Sequence, residues 1–260
     1  MSNYAVISFS GGIDSTSLLL NLLSLKNKIF AITFDYGQKH KIEIDKTKFI
    51  IKYLKDKNYT INHKIINISD CMNILDSSLT NKKLKIPEGY YEEKNMQSTV
   101  VPNRNAIFSS ILYGYALTIS KNNQNKDVKI CLGVHSGDHA IYPDCRKTFY
   151  KHLIKAFEIG NWDTDNVTMY LPYINYTKAE IIKDAINSTK ILGLNFETIF
   201  KNTLTSYEPD KMGISSGKTG SDIERILAFD QLSLKDPLEY HDSWEVVLEN
   251  AKKAERKFKN

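Results

Sequence analysis

Short apolar runs alternate along this chain with longer amphipathic stretches. The first run, Tyr4–Phe9, predicts a buried strand, and Leu18, Leu19, Leu22 and Leu23 then recur at helical spacing. Repetition of this alternation predicts an α/β fold, a doubly wound and mostly parallel sheet with helices on both faces. Ligands of such sheets bind beyond the carboxyl ends of the strands, so polar residues that follow strands are the candidates for function.

Short apolar runs and apolar residues at helical spacing also predict the remaining strands and helices. Further strands are expected at Ile29–Phe34, Ile61–Ile66, Lys129–Val134 and Val167–Leu171. Helices are expected at Asp14–Leu25, Lys41–Lys55, Asn105–Ser120, Lys147–Ile159, Ser221–Leu232 and His241–Phe258. Another helix opens at Thr177, where Glu180 completes a capping box. The polar stretches Asn67–Thr99 and Lys201–Thr219 are expected to be long irregular loops.

Composition excludes several classes of protein. The 260 residues are 42% hydrophobic and 25% charged, as in an ordinary globular chain. No apolar run is long enough for a transmembrane helix, and the start of the chain lacks a signal-peptide pattern. We therefore expect a cytoplasmic protein with no membrane partner. The net charge of +5 comes from scattered lysines, which favours a solvated basic surface over a nucleic-acid groove.

The three cysteines, Cys71, Cys131 and Cys145, have neither disulfide nor metal-site spacing. We expect Cys71 and Cys131 to be buried free thiols.

The strongest local signal is Ser10-Gly11-Gly12-Ile13-Asp14-Ser15, between the first strand and the first helix. Two glycines let backbone N–H groups approach an anion, and the helix N-terminus adds its dipole, so the turn fits a phosphate. Ser10 and Ser15 offer hydroxyl donors, and the Asp14 carboxylate suits Mg²⁺. The segment resembles the PP-loop of ATP pyrophosphatases. This implies a PP-loop type of fold, with residues 1–200 as the nucleotide-binding domain and residues 201–260 as a loop and helical region packed on it.

Other distinctive segments follow the later strands. They are Thr33–His40, Val101–Asn105, Gly133–Asp138 and Tyr142–Arg146. With the PP-loop, they resemble the 7-cyano-7-deazaguanine synthase family over most of the chain. The resemblance implies that ATP adenylates the carboxylate of 7-carboxy-7-deazaguanine, that ammonia converts it to an amide, and that loss of the activated amide oxygen leaves a nitrile. It implies a role in deazapurine and queuosine biosynthesis, and we also expect a homodimer.

The resemblance and the chemistry together select candidate site residues. The candidate catalytic residues are Ser10, Asp14, Ser15, Asp138, Asp144 and Arg146. The candidate ATP-binding residues are Phe9, Ser10, Gly11, Gly12, Ile13, Asp14, Ser15, Thr16, Ser17, Leu18, Leu19, Arg104 and Lys178. The candidate substrate-binding residues are Tyr36, Gln38, His135, Asp138, Tyr142, Asp144 and Arg146.

Carboxylates from Asp138 and Asp144 suit the paired N–H donors of a guanine-like edge, and Tyr142 offers a stacking face. Arg104 or Arg146 suits a phosphate or a substrate carboxylate through a two-pronged contact. Structural alternatives stay open. They are a simple turn at Asp144, a core role for Tyr142, a solvated helix lysine at Lys178 and a hydrogen-bonded spacer at His135.

The chain departs from the family at its structural metal. The resemblance implies a zinc ion bound by four cysteines, but those positions hold Ser206, Ser216, Thr219 and Asp222, between flanking residues such as Tyr207. Hydroxyls are poor ligands for zinc. We therefore predict ATP and Mg²⁺ as cofactors and no zinc, and we expect the segment from Thr205 to Ser221 to be mobile in the free protein.

Three functions are compatible with the sequence. The first is the nitrile-forming synthase. The second is a related ligase that joins the deazapurine carboxylate to another amine, including an amine of a protein acceptor. The third is a PP-loop tRNA-modifying enzyme, for which a reactive cysteine pair, an appended RNA-binding domain and a basic stripe would be expected and are not seen. The first is our main interpretation.

Overall fold

The computed structural model describes residues 3–38, 42–80, 83–85, 87–90, 92, 94–204, 206, 210 and 213–259. Five residues used in the sequence arguments lie outside this part of the chain: Lys39, His40, Lys41, Thr205 and Tyr207. The prediction of a mobile segment from Thr205 to Ser221 therefore falls partly outside the described residues.

The strands and helices follow one another in the predicted alternation. The strands are β1 (Tyr4–Ser8), β2 (Lys28–Asp35), β3 (Ile61–Asn67), β4 (Val128–Cys131) and β5 (Val167–Tyr170). The α-helices are α1 (Ile13–Ser24), α2 (Ile42–Asp56), α3 (Ser69–Met72), α4 (Arg104–Asn122), α5 (Lys147–Gly160), α6 (Lys178–Leu192), α7 (Phe196–Phe200), α8 (Gly220–Gln231) and α9 (Trp244–Lys259). Short 3-10 helices span Lys94–Thr99, Ser136–Ala140 and Pro143–Cys145.

The five strands form one parallel sheet in the order β3-β2-β1-β4-β5. The chain moves outward from β1 in one direction through β2 and β3, and then returns to add β4 and β5 on the other side. This reversal places β1 at the centre and opens a crevice at its carboxyl end. The predicted doubly wound α/β fold is confirmed.

Each face of the sheet carries its own hydrophobic core. On one face, Ile7 and Ala31 of the sheet pack with Leu19 of α1, Ile50 of α2 and Ile182 of α6. On the other face, Val6, Ile32 and Ile130 of the sheet pack with Leu112 of α4 and Tyr150 of α5. Because both faces are covered, the strands read as continuous apolar runs rather than as alternating ones.

The helix boundaries follow from local chemistry. The capping box predicted at Thr177 and Glu180 is present, since the Thr177 hydroxyl accepts from the Glu180 N–H and the Glu180 side chain accepts from the Thr177 N–H. Gly193 ends α6 in the left-handed conformation, with φ of 65°. The two caps together fix both ends of α6, the helix that begins at Lys178.

Several details differ from the sequence predictions. β4 ends at Cys131 rather than Val134, because its neighbour β5 is only four residues long and leaves residues 132–135 without a strand partner there. The five-residue helix α7 and the short helix α3 were not predicted, because each is too short to show periodicity. Cys71 is exposed, not buried, because it lies in α3 at the surface; Cys131 is buried as expected.

Helices α8 and α9 extend the hydrophobic core on the side of α1 and α6. Ala228 and Phe229 of α8 join the cluster formed by α1 and α6. Helix α9 covers α8 through Val247 and Ala251. Across the described residues, no helix combines the length and apolarity needed to cross a membrane.

Candidate active site

A cavity of about 250 Å³ opens at the carboxyl ends of β1, β2 and β4. Its floor is the PP-loop, and its walls come from α2, α4, α6 and α8. Among the predicted residues, the following line it: Phe9, Ser10, Gly12, Ile13, Asp14, Ser15, Tyr36, Gln38, Arg104, Asp138, Tyr142 and Lys178. The topology thus brings segments that are far apart in sequence to one crevice.

The PP-loop is held in an open turn by its own serines. The Ser10 and Ser15 hydroxyl oxygens lie 3.0 Å apart, and the Ser15 hydroxyl also accepts from the Ser10 N–H at 3.2 Å. Gly11 has φ of 79°, a conformation that favours glycine, and its carbonyl accepts from the Leu204 N–H. Helix α1 begins directly after Gly12, so its free N–H groups face the cavity.

A buried charged cluster lies beside the PP-loop. The Lys178 ammonium is 2.8 and 2.9 Å from the two carboxylate oxygens of Asp14 and 3.3 Å from Glu224 Oε2. His135 Nε2 lies 2.9 Å from the same ammonium and 3.6 Å from the Asp138 carboxylate. Asp14 and Glu224 thus contact the ammonium group and Asp138 lies beside His135, so carboxylates outnumber the ammonium at this end of the cavity. Such an excess of negative charge suits a phosphate chain that carries a cation.

The environment shifts the pKa values within this cluster. Burial lowers the pKa of Lys178, but the carboxylates of Asp14 and Glu224 outweigh it and raise that pKa above its usual range. Burial raises the pKa of Glu224, and the opposing effects of Lys178 and His135 reduce the rise. Lys178 is therefore a fixed positive charge at neutral pH, as a phosphate partner must be.

The opposite half of the cavity is aromatic. The rings of Phe34 and Phe108 stack with centroids 4.1 Å apart, and Tyr36 lies 5.7 Å from Phe108. The Arg104 guanidinium lies over the Tyr36 ring at 5.7 Å. Burial raises the pKa of Tyr36 to about 12 and that of Glu43 to about 7, and Arg104 opposes both shifts. This half of the cavity therefore offers aromatic surface on which a flat heterocycle can stack.

Other predicted residues lie outside the cavity wall. The side chains of Thr16, Ser17, Leu18 and Leu19 are buried within the protein, since the first turns of α1 point them inward. His135 lies behind Lys178.

Two residues predicted to contact substrate also lie outside the cavity wall. The Asp144 carboxylate accepts from the Asn105 N–H at 3.3 Å, across 39 positions of the chain, and Arg146 is exposed and donates to the His139 carbonyl.

Glu43 and Glu224 also line the cavity, and sequence reasoning predicted neither; Asn105, from the Val101–Asn105 segment, lines it as well but was not predicted as a site residue. Glu224 lies in α8, where no local pattern marks it. Glu43 lies shortly after the Thr33–His40 segment, in the first turn of α2. A rule that searches the first turns of helices following the motifs would have found Glu43.

The residues at the expected zinc positions do not fit zinc. The buried Asp222 carboxylate accepts from the hydroxyls of Ser206 (3.1 Å), Ser215 (2.6 Å) and Thr219 (2.7 Å), and from the Thr219 N–H (3.2 Å). Ser216 does not join this group, and its hydroxyl accepts from the Lys218 N–H instead. The donor set contains no thiolate or imidazole, and its hydroxyl protons already point at the carboxylate. No cluster of three or more metal-ligating side chains occurs in the described ranges of the chain.

The chain is similar to known proteins over most of its length. A family model described as queuosine biosynthesis protein QueC matches residues 4–233. A 7-cyano-7-deazaguanine synthase of Pseudoalteromonas translucida (strain TAC 125) is 38% identical over 240 residues, covering 92% of this chain and 100% of that protein. Proteins of the same name from Hahella chejuensis (strain KCTC 2396) and Methanoregula boonei are each 39% identical, covering 92% and 91% of this chain and 93% and 98% of their own lengths.

Proposed function

Because the chain belongs to the family of queuosine biosynthesis protein QueC, we propose that it is a 7-cyano-7-deazaguanine synthase. It is an ATP-dependent, AMP-forming carbon–nitrogen ligase. An oxygen of the 7-carboxy-7-deazaguanine carboxylate attacks the α-phosphorus of ATP and releases pyrophosphate. Ammonia then displaces AMP to give the amide. A second ATP adenylates the amide oxygen and releases pyrophosphate, and departure of AMP with that oxygen, together with loss of the two amide protons, leaves the nitrile.

One observation carries this proposal. The PP-loop, Asp14 and Lys178 form the charged half of the same cavity whose other half is built from Phe34, Tyr36 and Phe108. A nucleotide phosphate chain and a flat purine-like acceptor can therefore meet at one point. A carboxylate is a poor electrophile until one of its oxygens becomes part of a good leaving group. Adenylation makes that oxygen part of AMP, next to the aromatic pocket.

The chain's own residues divide this work. The N–H groups at the start of α1 and the Lys178 ammonium stabilise negative charge on the departing pyrophosphate. Asp14 fits as a ligand for the Mg²⁺ that accompanies ATP, which keeps most of its water and needs only one or two carboxylates. Bound there, Mg²⁺ would supply charge neutralisation of the phosphates. The aromatic half excludes water from the acyl-adenylate, which favours ammonia over hydrolysis.

The proposal includes the absence of zinc. Hydrogen bonds to Asp222 take the place that a metal would hold between Ser206 and α8. Elemental analysis of the purified protein is expected to find no stoichiometric zinc, and about one zinc per chain would contradict this.

The proposed activity is tested by product analysis. The protein is incubated with ATP, Mg²⁺, ammonium and 7-carboxy-7-deazaguanine, and nucleotides and bases are separated by chromatography with mass spectrometry. We expect AMP, pyrophosphate and the nitrile. ADP as the main nucleotide would contradict the PP-loop chemistry. An amide that is not converted further to the nitrile, or a conjugate with a protein amine, would favour the ligase alternative.

Matched variants tie the product to the site. Asp14→Asn removes the carboxylate that is closest to Lys178 and should reduce AMP formation about 100-fold. Asp45→Asn changes an exposed carboxylate of α2 that pairs only with Lys48 among the described residues and should leave the rate unchanged.

Two properties of the whole protein also belong to the proposal. We expect a homodimer, which light scattering would measure directly. We also expect a cytoplasmic enzyme, which cell fractionation would test.

A further inference from the structure

Asn105 is a polar residue of the cavity wall that the chemistry described above does not use. It lies in the first turn of α4, one helical turn before Phe108, and both side chains line the cavity. Because Asn105 is only 8% exposed, its polar atoms depend on partners from the protein or from a ligand.

Asp144 and Cys145 set the orientation of the Asn105 amide. Its Nδ2 donates to the Asp144 carbonyl and to Cys145 Sγ, each at 3.4 Å. The Asp144 carboxylate also accepts from the Asn105 N–H at 3.3 Å, so one residue holds both the backbone and the side chain of Asn105. Turning the amide over would place its oxygen against the Asp144 carbonyl, which can only accept. The amide nitrogen therefore points at Asp144, and the oxygen points away from it.

The amide oxygen of Asn105 has no partner within the described residues. Oδ1 accepts no hydrogen bond from them, and it is not one of their fully enclosed polar atoms without a partner. Because the side chain lines the cavity, Oδ1 presents its lone pairs there. A ligand that fills the cavity must either donate to this oxygen or bear the cost of leaving it unpaired.

Oδ1 lies in the aromatic half of the cavity. Helix α1, which follows the PP-loop, and helix α6, which carries Lys178, pack on one face of the sheet, whereas α4 packs on the other. Phe34, Phe108 and Cys145 belong to the side of α4. The acceptor is therefore placed beside the stacking surface, on the other side of the sheet from the helices of the phosphate end.

We propose that Asn105 determines specificity for the acceptor base, with its Oδ1 accepting a hydrogen bond from the exocyclic 2-amino group. The inference rests on the proposed function, because the carboxylate that reacts must lie at the phosphate end. The 2-amino group is the N–H donor of 7-carboxy-7-deazaguanine that lies farthest from this carboxylate. A ring stacked beside Phe108 thus directs that group toward the α4 side, where Asn105 offers an acceptor.

The first test uses the wild-type protein alone. Calorimetric titration compares 7-carboxy-7-deazaguanine with the analogue that carries hydrogen in place of the 2-amino group. We expect the analogue to bind about tenfold more weakly, the upper end for one hydrogen bond between neutral groups. Equal affinities would overturn the proposal, and this result does not depend on the folding of any variant.

The second test removes the acceptor. Asn105→Ala should bind the base about tenfold more weakly than the wild type does, and it should bind base and analogue within about twofold of each other. KM for ATP should stay within about twofold of the wild type. A variant that still prefers the base tenfold would overturn the proposal. A raised KM for ATP with that preference retained would place Asn105 at the nucleotide instead.

Two further variants serve as checks. Asn105→Ser has a hydroxyl too short to reach the same point, so it should lose the preference as alanine does; a retained tenfold preference would overturn the proposal. Ser110→Ala changes an exposed residue of the same helix and should match the wild type in both affinities and in KM for ATP.

The outcomes separate this inference from the proposed function. If the wild type binds neither base nor analogue, the proposed substrate is wrong and the inference fails with it. If the preference for the base depends on Asn105 but no nitrile forms, the proposed product alone is wrong. If the nitrile forms and the preference is absent or independent of Asn105, the role of Asn105 alone fails.

Discussion

At the scale of single residues, Glu43 links stability to pH. It lies in the first turn of α2 and lines the cavity, where burial raises its pKa from 4.5 to about 7 despite Arg104. A carboxyl group with a raised pKa favours the folded state below its unfolded pKa, and this contribution is lost as pH rises through the folded pKa. Between pH 5 and pH 8 the folded protein should therefore lose stability through this group.

Glu43→Gln should remove that loss. Between pH 5 and pH 8, the free energy of unfolding of the variant should rise by about 2 kcal/mol relative to that of the wild type. This is somewhat less than the full pKa shift implies, because Glu43 is partly exposed. Urea unfolding at the two pH values measures the difference. Asp45→Asn, on the same helix, should change stability by less than about 0.5 kcal/mol at both. A Glu43→Gln effect of equal size at both pH values would show that Glu43 does not titrate in this range.

The residues of the site differ in how far they could be predicted. Asp14 and Ser15 lie in a motif whose chemistry is local, because the turn and the helix that follows it create the anion site. Glu224 meets Lys178 only because α8 packs beside α6, 46 positions along the chain. A contact set by packing between distant helices leaves no local pattern, so single-sequence reasoning does not find it.

At the scale of elements, the end of β4 and the start of α1 approach closely. A Cβ atom on Gly133 would lie 2.9 Å from the Asp14 carbonyl carbon and 3.1 Å from the Ser15 nitrogen. These are backbone atoms of the PP-loop helix and cannot turn aside as a side chain would. The spacing between β4 and the phosphate site therefore depends on a residue without a side chain at this point.

Gly133→Ala should displace the start of α1 and raise KM for ATP at least tenfold, a loss of about 1.4 kcal/mol of binding. Gly114→Ala provides the control, since a Cβ atom in the middle of α4 meets nothing within 4 Å. Alanine there should stabilise the protein by about 0.5–1 kcal/mol and leave KM unchanged. Equal KM values for the two variants would show that the approach of β4 to α1 does not shape the nucleotide site.

The Asp222 cluster fixes the start of α8. Asp222→Asn replaces an acceptor of four hydrogen bonds with an amide that turns two donors toward hydroxyl groups, so we expect a loss of about 1–3 kcal/mol. Ser216→Ala, at the neighbouring position outside the cluster, should stay within about 0.5 kcal/mol. Thermal unfolding measures both. A chelator should shift neither midpoint, and a chelator-dependent midpoint in the wild type would reveal a bound metal.

At the scale of the whole molecule, the buried Arg225 connects α8 to two other segments. Its guanidinium pairs with the buried Asp236 through two nitrogens and donates to the Phe200 carbonyl and the Thr203 hydroxyl. Tyr240 also donates to Asp236. This network ties the segment after α7, helix α8 and the segment before α9 together beneath the charged wall of the cavity.

Arg225→Met should reduce the free energy of unfolding by about 3–5 kcal/mol, because it leaves the Asp236 charge buried without its partner. Lys252→Gln removes one partner of a half-exposed pair with Asp230 and should change it by less than about 1 kcal/mol. Guanidinium unfolding gives both values. Similar effects of the two substitutions would mean that the buried ion pair contributes no more to the free energy of unfolding than a surface ion pair.

The sheet and the long helices could be predicted from the sequence more completely than the structure of the C-terminal part. Buried parallel strands and amphipathic helices leave periodic patterns, and these gave the five strands and the order of the long helices. Several polar side chains in the described part of the chain after Lys201 are buried in hydrogen bonds or ion pairs: Asp222 accepts from the Ser206, Ser215 and Thr219 hydroxyls, and Arg225 pairs with Asp236. A polar sequence suggests a loop unless the pairs are known, and the pairs are set by the tertiary fold.

The sheet order also bears on how the chain is made. The strand that pairs with the second edge of β1, β4, starts only at Val128 and is synthesised long after β1. At roughly 5–20 residues per second, a ribosome leaves that central edge without its partner for many seconds. A nascent chain in this state presents an apolar, hydrogen-bonding edge to its surroundings. Its yield should therefore depend on translation speed and chaperone supply between β1 and β4 more than on anything that happens after β5.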